Sequence, residues 1–411
     1  MNAVPRLHRW TAGALGAVLA GGVLTLWAPG HWPAALAQSA ILALALLFTA
    51  ANLLAGGPWR WPAFLAPLAA IPLWALLQLA AGWTLDPWAT AGKFTEWTAT
   101  LCAVYLAVQA AAWPRLRARL VTALLVFASL LAVQALLQTF TSGGRVFWLF
   151  DSGYQDKVLG PFVYHNKYAQ FIELVFPLAL WRALARRREA PLWYVAAAGM
   201  FAGGVAGASR AGFLILLLET LAVLALAWRR EAASGRTVLL GLLQAGALLA
   251  LWGWIAGWSV LWGRLTGVDP LSDLRWPLMR STWEMFLARP LTGAGLGAWP
   301  AVYPEYALFD AGVFANQAHC DWLQWMADGG APMLGFVLAF AVLVLPGLWR
   351  SGWGIGFLAV CVHALADYPF HQLPLFATFL FVAAALAALD VPEPARAAPP
   401  SGDLPAPAAP R

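Results

Sequence analysis

The chain has 411 residues, of which 62% are hydrophobic and only 11% carry a charge. So few charges cannot cover the water-facing surface of a domain of this length, so the composition excludes a soluble globular protein. The formal net charge of +6 would suit a nucleic-acid partner. Most of the basic residues, however, flank apolar segments, where they signal membrane topology and contact anionic lipid headgroups. We therefore expect a polytopic membrane protein that contacts membrane lipids and binds no nucleic acid.

Apolar stretches of about 20 residues, long enough to cross the hydrocarbon core, recur along the chain. The first imitates a secretory signal, with Arg6 and Arg9 before it and Ala35-Leu36-Ala37 after it. We expect it to stay uncleaved as a span, because another apolar segment follows at once. In all, twelve spans are predicted, at about residues 10-28, 34-55, 61-82, 93-113, 117-140, 161-182, 191-208, 210-228, 237-258, 331-349, 352-368 and 372-390.

Arginines in the short connections predict the orientation of these spans, because such residues favour the cytoplasmic side. If the N-terminus is inside, the long polar segment before the tenth span lies outside. We expect residues 1-258 to form spans one to nine, 259-330 an external loop with two short helices, 331-390 spans ten to twelve, and 391-411 a disordered cytoplasmic tail. The predicted inner connections hold Arg6, Arg9, Arg60, Arg115, Arg117, Arg119, Arg182, Arg186, Arg187, Arg188, Arg229, Arg230, Arg236 and Arg350.

Polar residues inside or beside the predicted spans are the first candidates for function. The sixth span begins with a polar cluster that includes Asn166 and Lys167, which by itself is an interfacial anchor; Lys167 also suits a lipid-linked phosphate. Glu173 and Glu219 lie near the middle of their spans, so each should be protonated or hydrogen-bonded inside the bundle. Structural and functional interpretations of these two glutamates both stay open. Arg210, in the turn before the eighth span, is either a snorkelling residue or a phosphate ligand.

The long polar segment contains two predicted helices. Trp276 to Leu287 has an amphipathic pattern that carries Arg280, and Pro290 with the glycines Gly293 to Gly297 ends it. These glycines lack the βαβ context of a dinucleotide site, so we interpret them as turn or close-packing residues. A second helix is predicted from Asn316 to Asp328, with His319 on its apolar face, and Gly329-Gly330 should end it.

His319 is the strongest candidate for chemistry, because a histidine's ordinary pKa near ~6.5 suits it to accept a proton from a hydroxyl. Arg210 and Arg280 are candidates for phosphate binding, since a guanidinium binds phosphate through two parallel hydrogen bonds; Arg275 and Arg289 are weaker ones. Asp321 lies beside His319, whereas Asp367 and His371 either line the same outer site or cap it. We interpret His31 and His363 as structural. The three cysteines, Cys102, Cys320 and Cys361, predict neither a disulfide framework nor a zinc site.

Four motifs follow one another along the second half of the chain. They are Gly160-Pro-Phe with Asn166 before a span containing Pro177, Ser209-Arg210-Ala-Gly212, Arg280 and Trp283 leading into Pro290-Leu-Thr-Gly-Ala-Gly-Leu-Gly, and Ala318-His319-Cys-Asp321-Trp-Leu323-Gln. In their order and in their predicted side of the membrane these motifs are similar to those of the O-antigen ligase and polymerase superfamily. The resemblance covers roughly residues 160 to 390.

The resemblance implies a GT-C-type glycosyltransferase of the bacterial inner membrane, all-α with about twelve spans and a large periplasmic loop. Such enzymes take glycans from undecaprenyl diphosphate and need no metal or other cofactor. In this family the arginines that match Arg210 and Arg280 are associated with the donor diphosphate, and the histidine that matches His319 with activation of the acceptor hydroxyl. Cys320 departs from the pattern, because the family often has Asn after this histidine.

Several acceptors fit the resemblance, and we favour lipid A-core over a lipid-linked glycan, which would make the protein a polymerase; a third group of relatives glycosylates protein. A different class of function is a secondary transporter for an anionic solute. Transporters of that kind need polar sites at the midplane on broken helices, for which Glu173 and Glu219 give little support. Their longest loop is also commonly central and cytoplasmic, unlike the loop predicted here.

Overall fold

The computed structural model describes residues 3–151, 158–186, 188–207, 209–256, 263, 267, 270–308, 312, 314–371 and 374–389. The predicted cytoplasmic tail, 391-411, and Arg264, one of the arginines of the long polar segment, lie outside the described residues.

The described chain is almost entirely helical, as expected for an all-α protein. A two-residue hairpin pairs β1 (Arg145–Val146) with antiparallel β2 (Phe150–Asp151), and Tyr303–Glu305 forms a 3₁₀ turn. The α-helices are α1 (Ala3–Leu24), α2 (Trp32–Leu54), α3 (Leu65–Ala80), α4 (Pro87–Ala111), α5 (Pro114–Thr141), α6 (His165–Ala185), α7 (Ala190–Ala206), α8 (Arg210–Arg229), α9 (Gly235–Ala256), α10 (Pro270–Ala288), α11 (Trp299–Val302), α12 (Asp321–Leu348), α13 (Gly352–His363) and α14 (Pro374–Leu389).

Each of the twelve predicted apolar segments falls on one of these helices. Four helices of the described part, α2, α5, α8 and α12, are long and apolar enough to cross a membrane, and α3, α7, α13 and most of α14 are apolar but shorter. Several apolar helices in one chain are typical of a multi-pass membrane protein. The exact count of twelve spans stays a prediction.

The arginine-rich connections lie together at one end of the helix bundle, which we call the arginine end. The Arg230 side chain donates to the Arg350 carbonyl over 2.7 Å, and the Arg117 side chain donates to the Leu389 carbonyl over 2.9 Å. These contacts place the connections before α5, after α8 and after α12, together with the end of α14, at this end, in agreement with the charge pattern. We call the opposite end the polar end, because the long polar segment packs there.

A glycine-rich turn ties the polar segment to the bundle. The Gln78 side chain donates to the Thr292 and Asp328 carbonyls and accepts from the Leu296 amide. Gly295 has φ +113° in this turn, and a Cβ there would collide with the Thr84 hydroxyl. The prediction that these glycines serve a turn and close packing is confirmed.

The first predicted helix of the polar segment is confirmed, because α10 contains all of Trp276 to Leu287. The second prediction is wrong at its start and at its end. α12 begins at Asp321 rather than Asn316, and it continues through a kink at Gly330 (φ 68°, ψ −171°) into the predicted tenth span.

Tertiary hydrogen bonds explain the late start of α12. The Gln324 side chain accepts from the Ala318 amide, and the Asp321 amide donates to the Ala364 carbonyl. His319 therefore precedes the helix, with φ 56°, in a left-handed conformation that is uncommon for residues other than glycine. The expectation that His319 lies on an apolar helix face is thus incorrect.

Candidate active site

Asp367 lies at the centre of a buried polar cluster at the polar end of the bundle. It belongs to the connection between α13 and α14, where this connection meets the first turn of α6. Its carboxylate accepts from Lys167 Nζ at 3.2 Å, from Asn166 Nδ2 at 2.7 Å and from the Tyr368 amide at 2.7 Å. The side chains of Lys167 and Asp367 are each only 1% exposed. Three of the predicted site residues, Asn166, Lys167 and Asp367, therefore meet in one buried group.

The charges around Asp367 keep its carboxyl ionised. Burial by itself raises the pKa of Asp367, but the positive charges of Lys167 and His363 outweigh it and hold the pKa at about 2. His319 acts in the same direction, which places its imidazole within electrostatic reach of this carboxylate. Asp367 thus keeps an ionised carboxylate within electrostatic reach of the candidate base.

His363 extends the cluster into the bundle. Its Nδ1 lies 2.9 and 3.0 Å from the two carboxylate oxygens of Glu173, and its Nε2 lies 4.0 Å from Asp367 Oδ2. All three side chains are buried. Glu173 is therefore hydrogen-bonded inside the bundle, as its position in the middle of a span requires.

His319 reaches this cluster through Tyr368. The two rings meet edge to face with centroids 4.7 Å apart, and Lys167 Nζ lies 3.8 Å from the centre of the Tyr368 ring. Tyr164 stacks on the same tyrosine, at 6.5 Å between centroids. Tyr368 is thus held by a cation and a second ring, and it supports the half-buried imidazole of His319.

Asp321 and His371 form a second buried pair beside the first cluster. His371 Nδ1 binds Asp321 Oδ1, and the Phe370 amide donates to Asp321 Oδ2 over 2.8 Å. The pair fastens the start of α12, two residues after His319, to the same connection that carries Asp367. Both residues were predicted site candidates, and in this structure they fix the position of the backbone around His319.

The four candidate arginines lie on other elements of the polar end. Arg210 is exposed as the first residue of α8, which Ser209 caps by accepting from the Gly212 amide over 3.2 Å. Arg280 is exposed on α10, and Arg275 is half-buried on the same helix. Arg289 Nη1 donates to the Trp83 carbonyl over 3.4 Å, so this arginine braces the connection between α3 and α4.

Cys320 is the N-cap residue of α12, and its side chain makes no capping hydrogen bond. Burial raises the pKa of the Cys320 thiol, so the side chain is neutral at physiological pH. Asn is among the strongest N-cap residues because its side-chain oxygen accepts from the first backbone amides of a helix. The cysteine therefore lacks a hydrogen bond that an asparagine at this position would supply.

Sequence reasoning missed part of the cluster. His363 was expected to be an isolated structural residue, Tyr164 was expected only as an aromatic of an interfacial anchor, and nothing in the sequence marked Tyr368. The signals that were present are the carboxylate of Glu173 in an apolar span and the four-residue spacing from His363 to Asp367. No group of three or more His, Cys, Asp or Glu residues that suits a metal ion occurs in the described part of the chain.

Residues 195–340 match the family model described as O-antigen ligase. Arg210, Arg280 and His319 all fall inside the matched stretch, whereas the start of α6 and the connection with Asp367 lie outside it. A search of curated proteins finds no match. The match confirms the resemblance of this chain to the O-antigen ligase and polymerase superfamily, with the ligase-type domain at residues 195–340.

Proposed function

We propose that the protein transfers a glycan from undecaprenyl diphosphate to lipid A-core in the bacterial inner membrane, at a site that faces the periplasm. The observation that carries this proposal is that the ligase-type domain contains His319, Arg210 and Arg280. Support also comes from the position of His319, beside a charged cluster at the end of the bundle opposite the arginine-rich connections.

In the proposed mechanism, His319 accepts the proton of the acceptor hydroxyl while that oxygen attacks the anomeric carbon. A carboxylate that stays ionised nearby stabilises the imidazolium that forms. Asp367 meets this requirement, because its pKa of about 2 leaves it negative throughout the physiological range. Tyr368 limits the rotation of the His319 ring, which keeps the base aimed in one direction.

In the proposed mechanism, Arg210 and Arg280 stabilise the leaving group. As the glycosidic bond breaks, negative charge develops on the departing undecaprenyl diphosphate, and guanidinium groups stabilise it through paired hydrogen bonds. Both side chains are exposed at the polar end and are accessible to a lipid headgroup. Attack opposite the leaving group gives inversion at the anomeric carbon, and fixed arginine charge takes the role that Mg²⁺ has in other transferases.

Lipid A-core is the acceptor that we favour, whereas the family match itself fits a ligase and a polymerase equally. A polymerase of O-antigen or exopolysaccharide would use the same base and the same arginines, with a lipid-linked glycan as acceptor. A direct test gives the purified protein, in nanodiscs with EDTA, an undecaprenyl-diphosphate-linked oligosaccharide and lipid A-core together.

The products of that reaction decide between the acceptors. Glycan-shifted lipid A-core on a gel is the expected result. Longer lipid-linked glycan with unmodified lipid A-core would identify a polymerase instead. If wild-type protein forms neither product, the proposal of glycan transfer to these acceptors is wrong. A transport assay with an anionic solute is then the next experiment.

A further inference from the structure

The most unusual group next to the proposed site is a row of three buried side chains, of which only Asp367 has a role in the proposed mechanism. His363 lies between two carboxylates, with Nδ1 at 2.9 and 3.0 Å from Glu173 and Nε2 at 4.0 Å from Asp367 Oδ2. The side chains of Glu173 and His363 are 0% and 2% exposed. No part of the proposed mechanism uses this histidine, and it lies outside the matched ligase-type stretch.

The geometry favours a doubly protonated ring for His363. Carboxylates only accept hydrogen bonds, so a ring that faces one with each nitrogen is best satisfied when both nitrogens carry a proton. His363 is also in the last turn of α13, where the helix dipole favours a positive charge. With Lys167 opposite Asp367, an imidazolium at His363 opposite Glu173 leaves the buried group neutral, as a membrane interior requires.

We propose that His363 is a positioning residue whose positive charge, held by Glu173, sets the proton affinity of His319 through Asp367 and Tyr368. This inference rests on the proposed role of His319 as the base. Asp367 connects the two histidines. One of its carboxylate oxygens faces His363 Nε2, and the other accepts a hydrogen bond from the Tyr368 amide. Tyr368 in turn packs against the His319 ring.

The sign of the effect follows from the charges that face His363. Removing its positive charge leaves Asp367 less compensated, and the excess negative charge favours protonation of His319. As the pH falls, His319 therefore becomes protonated, and stops acting as a base, at a higher pH than in the wild type. The charged groups that act on His363 directly are Glu173 and Lys167 on α6 and Asp367 in the connection that follows α13. Glu219 on α8 acts on Glu173, and Asp321 at the start of α12, which is paired with His371, acts on Lys167.

The test compares His363→Gln with His363→Lys. On the acid side of the pH profile, kcat/KM falls with decreasing pH, and we call this part of the profile the acid limb. Its midpoint should move to a higher pH by about half a unit or more in the glutamine variant, as expected for one charge removed across a partly buried site. The lysine variant keeps the charge and should keep the limb near its wild-type position. Glu173→Gln should give a smaller shift in the same direction, because His363 then loses the partner that keeps it protonated.

His8 provides the matched control. It is a buried histidine at the arginine end, with Nδ1 3.2 Å from the Gln109 carbonyl. His8→Gln removes a buried hydrogen bond of similar kind, and it should leave the acid limb where it is in the wild type. If His8→Gln shifts the midpoint of the acid limb as much as His363→Gln does, the shift comes from a general loss of packing and not from the lost charge.

A second readout separates this inference from the proposed function. Diethyl pyrocarbonate modifies the neutral imidazole, so mass spectrometry of the peptide with His319 reports its protonation without any glycan transfer. The midpoint of modification against pH should rise in His363→Gln and stay in place in His363→Lys. Transfer that fails while this midpoint shifts would reject only the proposed function. A midpoint that is unchanged in His363→Gln, or equally raised in both variants, would overturn the role of His363.

Discussion

At the scale of single residues, the site depends on charges that are buried only because they are paired. Asp367 and Lys167 would each carry a large desolvation cost alone, and their contact at 3.2 Å compensates it. The further hydrogen bonds from Asn166 and the Tyr368 amide leave the carboxylate fully satisfied. Such a group holds one geometry, because any rearrangement exposes an unpaired charge to the interior.

Replacing Asp367 by Asn should therefore destabilise the protein by about 3 kcal/mol or more, since a buried lysine is left without its partner. Thermal unfolding in detergent measures this. The matched control is Glu189→Gln, which breaks an ion pair with Arg186 at 3.5 Å that is about half exposed and should change the midpoint little. Equal effects of the two substitutions would contradict the buried-pair account.

The same pair predicts how stability depends on acid. The pKa of Asp367 falls from 3.8 to about 2 on folding, so its contribution is complete above about pH 4 and disappears as pH falls through 2. The difference in unfolding midpoint between wild type and Asp367→Asn should shrink over this interval. A difference that stays constant down to pH 2 would show that Asp367 is not ionised through that pairing.

The arginines allow a test of geometry against charge. Arg210→Lys and Arg280→Lys keep the charge but lose the paired hydrogen bonds to a diphosphate, so kcat/KM for transfer should fall about tenfold or more in each. Arg145→Lys, at an exposed arginine of the same end, should leave transfer unchanged. Full activity in both lysine variants would show that transfer does not need paired hydrogen bonds from these arginines to the diphosphate.

At the scale of elements, hydrophobic periodicity predicted the helices but not the backbone around His319. Apolar runs predicted where α1 to α9 and α12 to α14 lie, because a chain in lipid must satisfy its backbone within helices. The start of α12 depended instead on contacts from distant residues, such as the Asp321 amide bonded to the Ala364 carbonyl. Such tertiary bonds leave no local pattern in the sequence.

The residues of the candidate site, too, were predicted from the sequence only in part. Asn166, Lys167 and Asp367 were predicted because polar side chains at the ends of apolar spans are conspicuous. His319 was predicted because it lies in the long polar segment and a histidine suits proton transfer. Tyr368 was missed, since an aromatic residue near a span is ordinary and only its contacts with Lys167 and His319 show what it does. Which partner a buried charge takes could not be predicted from one sequence.

The glycine-rich turn that ties the polar segment to α3 gives a prediction about an element. Gly295→Ala should lower stability by about 1 to 3 kcal/mol or more, because φ is +113° and the new Cβ collides with Thr84. Gly246→Ala is the control, with open space around the site in α9 and a gain in helix propensity. Equal unfolding midpoints for wild type and Gly295→Ala would contradict the close packing.

At the scale of the whole molecule, the account requires the two ends of the bundle to face different compartments. The positive-inside rule predicts that the arginine end lies in the cytoplasm, so the polar end should face the periplasm. Alkaline phosphatase fused after Glu305 should be active in cells, and the same enzyme fused after Ala233 should be inactive. The reverse pattern would place His319 on the cytoplasmic side and contradict the proposed site.

The central claim is that His319 removes the acceptor proton during glycan transfer, and its most direct measurement is the single-turnover rate of His319→Ala in nanodiscs. His31, an exposed histidine at the start of α2 on the same end, supplies the control variant His31→Ala. We expect His319→Ala to slow the chemical step by about 10²-fold or more with its unfolding midpoint intact, and His31→Ala to match the wild type. A His319→Ala protein that is folded and transfers glycan at the wild-type rate would contradict the account.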